Sequence, residues 1–289
     1  TKMGAVSWYP KGNVLVYKGN SSKGGLYKGL ATLFSGVTGI SYKLKAAGSR
    51  YFPVGSIAAT AGTGFTLTAT AKDVTENPLG IEFYEVEAAM VPNVLADVDY
   101  AIINNNFALD AGLNPVADSL IIESADSPYA NVLCVKAGNE ESAEAKALAA
   151  ALYSKKVADY ITETYKGAAV SVVTEPTDGF DATVDYEKLA GTTISIAASP
   201  TPHAQILAVA AQILAEKNIK LDIVEFSDYV QPNMVVDAGD LFANYFAHIP
   251  YQDNFNAENG TKIVVVAPIH VEPMGLYGGK QTSLDVLKG

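Results

Sequence analysis

Short apolar runs alternate with segments of helical period through most of this chain, and that alternation constrains its fold more than any other feature. Strands are predicted at 13–17, 81–86, 100–103, 130–135, 193–197, 221–225 and 262–267. Helices are predicted at 142–152, 154–165, 204–217 and 232–238. In the second of these, Val157, Tyr160, Ile161 and Thr164 recur at i, i+3, i+4 and i+7, which places them on one face. Neither element can bury its apolar side alone, so alternation of this kind predicts an α/β architecture, with mixed or mostly parallel sheets and helices on both faces.

Bulk properties narrow the class further. At 289 residues with 49% hydrophobic content, the chain can enclose a sizeable core in one large domain or two lobes. No run approaches the roughly 18 apolar residues of a membrane span, and residues 1–9 lack the basic-then-apolar pattern of a signal peptide. The net charge is −11 and Arg50 is the sole arginine, so no basic stripe is available and a nucleic-acid partner is not expected. Cys134, in NVLCVK, reads as a small buried core residue. A single cysteine permits neither an intrachain disulfide nor a Cys-rich zinc site. Residues 1–64 are punctuated by Gly, Ser and Lys, and 173–191 mixes acidic residues with Pro, Gly and Thr. The latter reads as a surface connector followed by a short helical turn.

The densest chemistry lies at 224–251, VEFSDYVQPNMVVDAGDLFANYFAHIPY, which gathers Tyr229, Tyr245, Phe246, His248 and Tyr251. Several π-faces, an imidazole and a few amides suit a small, partly apolar molecule with polar ends. This run resembles the NlpA/MetQ-type lipoproteins, the methionine-binding subunits of bacterial ABC importers. The resemblance extends through ISIAASPTPHAQIL (194–207), LDIVEFSDY (221–229), the helix and loop that follow it through ANYFAHIPY (243–251), IVVVAPIHVEPMGLY (263–277) and SLDVLKG (283–289). The segments that follow these in the family look like VTENPLG (74–80), EVEAAMV (85–91), DVDYAIINNNFALDAG (97–112), SPYANVLCV (127–135) and the helix ending in YKGAAV. Here they come first, so the chain is similar to a circular permutant joined through 173–191. Such rotation is tolerated where termini meet at the surface. A natural, an engineered and a tandem-duplicated origin all remain open.

What the resemblance implies is a two-lobed, periplasmic-binding-protein-like fold around a cleft. One lobe would be 1–127 with 280–289 returning to it, the other 128–279 including the connector, with a hinge near 127–130 and 275–279. The implied role is extracytoplasmic capture of methionine or a related small amino acid and delivery to an ABC permease. The location would be the periplasm or a lipid anchor at the outer face of the cell membrane, with no cofactor and no enzymatic activity. Tyr229, Phe246, His248 and Tyr251 match the aromatic and imidazole wall, where sulfur–aromatic contacts contribute about 0.3–1.5 kcal/mol each. Asn104 matches the amide that holds the amino-acid end, with Asn105 and Asn106 as adjacent alternatives. Arg50 is assigned to the ligand carboxylate, which a guanidinium grips in bidentate fashion. That assignment aligns GSRYF with the family's turn; the best alignment of GNSSKGGLYKG instead puts Leu26 at that place, with Lys23 and Lys28 as neighbours. Two other functions stay in view: a structural or adhesive surface protein that keeps the fold, and a metal-binding ABC receptor using His203, His248 and His270. The resemblance accounts for His203 and His270 as turn residues, so no metal is expected. No G-x-S-x-G or Ser-His-Asp order points to catalysis.

Overall fold

The computed structural model describes residues 82–123, 125 and 129–284, together with the strand backbones at 14–17, 41–44 and 50–53. The readings of 1–13, of GNSSKGG, of VTENPLG and of 285–289 lie outside the described residues. In chain order, the first elements are β1 (Val14–Tyr17), β2 (Ser41–Leu44), β3 (Arg50–Pro53), β4 (Phe83–Val86), α1 (Val91–Val94) and β5 (Tyr100–Ile103). Next come α2 (Asn105–Asp110), α3 (Pro115–Asp118), β6 (Ser119–Ile122), β7 (Ala130–Lys136), α4 (Ala143–Leu152), α5 (Lys155–Tyr165) and β8 (Val170–Ser171). After the connector stand α6 (Tyr186–Leu189), β9 (Thr193–Ala198), α7 (Gln205–Ala215), β10 (Lys220–Glu225) and α8 (Gln231–Ala238). The chain continues with β11 (Ala243–His248), α9 (Ile249–Asn259), β12 (Ile263–Val271) and β13 (Gly275–Gly278).

These elements form two compact units, Thr1–Pro128 with Pro273–Gly289, and Tyr129–Glu272. The second boundary falls at 272/273 rather than at 279. The reason is that β13 pairs with β5 and β6 of the first unit, so 273–279 already belongs there. The first unit carries a five-stranded sheet in the order β4-β1-β5-β13-β6, with every pairing antiparallel. Tyr100 and Tyr277 are fully buried in it, and the Tyr100 hydroxyl donates to the Ser283 carbonyl at 2.8 Å.

The second unit is built on a six-stranded mixed sheet ordered β10-β9-β11-β7-β12-β8. Parallel pairing is confined to β10, β9 and β11, while β7, β12 and β8 pair antiparallel. β7 is the central strand. Val132, Leu133, Cys134 and Val135 are all 0% exposed, so its alternate residues are covered on both faces, as an interior strand requires. Burial pushes the Cys134 thiol far above its ordinary pKa, which makes it an inert core group. Strands from before the connector, β7 and β8, thus interleave with strands from after it.

The helices start where side chains can satisfy their first N–H groups. Ser142 accepts from Ala145 N at 3.2 Å and Ser154 accepts from Val157 N at 3.1 Å, capping α4 and α5. On α5 the buried stripe is Val157, Ile161 and Tyr165, spaced by four. Thr164 faces solvent, so the apolar face lies slightly to one side of the predicted one. The connector is a packed segment of the second unit. Thr177 exchanges backbone bonds with Tyr153 and Lys155, Val184 and Leu189 are buried, and the Phe180 ring meets Tyr186 edge-on at 5.5 Å. Gly179 adopts φ +98°, and a Cβ there would lie 2.8 Å from Ile213 Cγ2.

Candidate functional site

The site is assembled from the junction of β11 with α9 and the turn before α8. The sequence led us to expect a helix at 232–238 and then a loop running through 243–251. The structure instead has a strand ending at His248 and a helix beginning at Ile249. Pro250 sits in the first turn of that helix, where a missing N–H costs nothing. His248 is the N-cap: its Nδ1 accepts from Tyr251 N at 3.1 Å. With Nδ1 acting as acceptor, the proton of the neutral ring sits on Nε2. Burial pushes the pKa of His248 down to about 4, opposed in part by the negative charge of Glu272, so the imidazole is neutral at physiological pH.

The rings gather around Tyr251. Its centroid lies 5.6 Å from Phe246, 6.2 Å from Tyr229 and 6.4 Å from His248, each in edge-on geometry. Tyr229 and Phe246 are 6.2 Å apart. The Tyr251 hydroxyl donates to the Tyr229 carbonyl, which ties the turn before α8 to the start of α9. Phe246 and Tyr251 are buried, whereas Tyr229 and His248 are half-buried, so the set has an enclosed floor and a partly open side. The four residues of the second unit that were expected to form a wall therefore do come together.

Sequence reasoning missed two neighbours. Tyr129 meets His248 edge-on at 5.0 Å, and Phe255 stacks on Tyr251 at 5.8 Å. Phe255 follows Tyr251 by four residues, a helical spacing that would have found it had α9 been recognised. Tyr129 reaches the site only through tertiary pairing of β7 with β11. Tyr245, although adjacent to Phe246, bonds to His270 instead, because successive strand side chains point to opposite faces.

Asn104 lies in the first unit, at the end of β5, and is the N-cap residue of α2. Its side chain makes no cap bond, and its Oδ1 is buried with no hydrogen-bond partner among the described residues. An unsatisfied buried amide oxygen is costly, about 1–3 kcal/mol, and is a common sign of a ligand-facing group. The neighbouring Asn105 and Asn106 are more deeply buried within the helix. Arg50 opens β3, opposite Leu44 of β2, and its side chain lies outside the described residues.

The fold is mixed α/β in two compact units, one of which carries the aromatic and imidazole ring set. A sequence model of the NlpA lipoprotein family matches residues 57–173 and 194–289, well over half of the chain. The chain belongs to the NlpA lipoprotein family. Among curated relatives, the membrane lipoprotein TpN32 of Treponema pallidum is 44% identical over 117 residues, covering 40% of this chain and 43% of that protein. The methionine-binding lipoprotein MetQ of Bacillus subtilis is 39% identical over 110 residues, covering 37% of this chain and 40% of that protein. The matches thus span less than half the length of these relatives. Among solved structures, a putative lipoprotein from Ruminococcus gnavus is 54% identical over 24% of this chain and 28% of that chain, with a TM-score of 0.24.

Proposed function

We propose that this chain is an extracytoplasmic binding protein for methionine or a closely related amino acid, feeding an ABC permease. The observation that carries the reading is the ring set of Tyr229, Phe246, His248 and Tyr251 on one unit, with centroids 5.6–6.4 Å from Tyr251. A thioether gains from several ring edges at once, and the neutral His248 supplies an Nε2–H donor beside them. In the same reading, Asn104 offers its buried Oδ1 to the ligand ammonium, and Arg50 serves the carboxylate. The similarity to the methionine-binding lipoprotein of Bacillus subtilis supports the substrate class, and family membership supports a lipid-anchored location. Among the described residues no helix is long and apolar enough to cross a membrane.

Isothermal titration of L-methionine and D-methionine into protein stripped of carried-over ligand tests the reading. The expected result is saturable binding with a negative heat-capacity change from apolar burial. Absence of both heat and thermal shift at millimolar methionine would defeat it, and would favour a structural surface protein that keeps the fold.

A further inference from the structure

All three histidines of this chain act on one carboxylate. His270 Nε2 lies 2.8 Å from Glu272 Oε1 and His203 Nε2 lies 3.1 Å from the same oxygen, while the charge of Glu272 also acts on the His248 ring. A second oxygen, Asn131 Oδ1, stands 3.0 Å from His203 Nε2. The Glu272 side chain is almost fully enclosed and meets both imidazoles through one oxygen. We propose that His203, His270 and Glu272, with Asn131 Oδ1 as the fourth donor, form a binding site for a divalent transition ion of the zinc class.

Three features carry the assignment. The first is donor chemistry: two imidazole nitrogens, a carboxylate oxygen and an amide oxygen form a nitrogen–oxygen set suited to zinc. The second is spacing. The His203, His270 and Glu272 ligand atoms all lie within 4.8 Å of one another. A tetrahedral ion with bonds of about 2.0–2.1 Å needs donor separations of about 3.3 Å. The three hydrogen-bonded separations, 2.8, 3.0 and 3.1 Å, are shorter than that by up to about half an ångström, a gap that small side-chain shifts open. The third is support. Asn131 stands near the start of β7, His270 near the end of β12 and His203 in the tight turn between β9 and α7, so strands and a packed turn fix the donors. Tyr245 hydrogen-bonds His270 Nδ1, the outer-sphere contact that orients a ligating imidazole.

Without an ion, the two Nε2–H groups donate to Glu272. Binding moves each ring's proton from Nε2 to Nδ1, so both imidazoles stay neutral and no proton is lost. At His270 the Nδ1–H then donates to the Tyr245 oxygen. At His203, Nδ1 is buried and without a partner among the described residues, which leaves Nε2 as the nitrogen committed to the cluster. Glu272 is the least enclosed ligand, with 9% of its side chain exposed, and gives the ion its approach.

Equilibrium dialysis of the full chain against zinc chloride, with metal counted by elemental mass spectrometry, tests the site. One ion per chain is expected, lost in Glu272→Gln and His270→Gln. Tyr245→Phe should weaken binding about 10- to 100-fold, the usual effect of removing an outer-sphere orienting group. X-ray absorption of the zinc-loaded wild-type protein should show two imidazoles in a nitrogen–oxygen shell at about 2.0–2.1 Å. That measurement decides the matter even where a variant fails to fold. Failure of the wild type to retain zinc, unchanged affinity in a folded Glu272→Gln, or a shell lacking two imidazoles would each overturn the proposal. Methionine affinity is measured separately, so failure here leaves the ligand wall untouched.

Discussion

Replacing His248 separates two roles that the structure assigns to one side chain. As N-cap of α9, its Nδ1 accepts the Tyr251 N–H. Losing such a cap costs about 0.5–2 kcal/mol. As a ring, it packs edge-on against Tyr129 at 5.0 Å and Tyr251 at 6.4 Å, and aromatic pairs contribute about 0.5–1.5 kcal/mol each. His248→Ala removes both, whereas His248→Asn keeps a good N-cap oxygen and removes only the ring. Urea unfolding followed by far-UV circular dichroism, compared at constant m, should place the Ala variant about 1 kcal/mol below the Asn variant. Both should lie below wild type. Methionine binding should instead fall to a similar extent in both, by about 1–3 kcal/mol, because both lack the imidazole. Equal stability of the Ala and Asn variants would refute the cap. Recovery of wild-type affinity in the Asn variant would refute the ring as part of the wall.

Three further outcomes can be checked directly. The His248 pKa is depressed to about 4 from an ordinary 6.5, so its neutral-form stabilisation is complete above pH 6.5 and is lost as pH falls through 4. Methionine affinity measured by titration should therefore stay flat from pH 8 to about 5.5 and drop below that, and a midpoint near 6.5 would contradict the depressed imidazole pKa. Asn104→Ala should lower methionine affinity about tenfold or more while thermal stability holds or rises slightly, since its Oδ1 has no partner among the described residues to lose. Gly179→Ala should destabilise by about 1–3 kcal/mol in urea, from its positive φ and the approach of Ile213 Cγ2 to 2.8 Å; a neutral result would show that the connector is loosely held.

Hydrophobic period by itself determined most elements of the second unit. The runs ISIAA and NVLCV are apolar because they become interior strands, LDIVE forms the edge strand beside them, and the helices at 143–152, 155–165 and 205–215 announce themselves by period, the first two also by their Ser caps. The ring-rich stretch was legible as a site for the same reason, since few folds need so many aromatic groups beside one imidazole. What the sequence misread was the conformation of that stretch. ANYFAHIPY has too short an apolar run to distinguish strand from helix, and only pairing with β9 and β7 makes 243–248 a strand.

Tertiary structure alone decided three matters. It set the boundary at 272/273, because strand membership of β13 depends on partners more than 150 residues earlier, at 100–103 and 119–122. It brought Tyr129 to His248 and divided Tyr245 from Phe246, since the face of a strand residue depends on register rather than on neighbours in sequence. It also joined His203, His270, Glu272 and Asn131, which are separated by up to 141 residues along the chain, in one buried cluster. Local pattern reports which side of an element is apolar. Which buried polar groups meet is settled by packing of distant elements, where each must find a partner once water is gone.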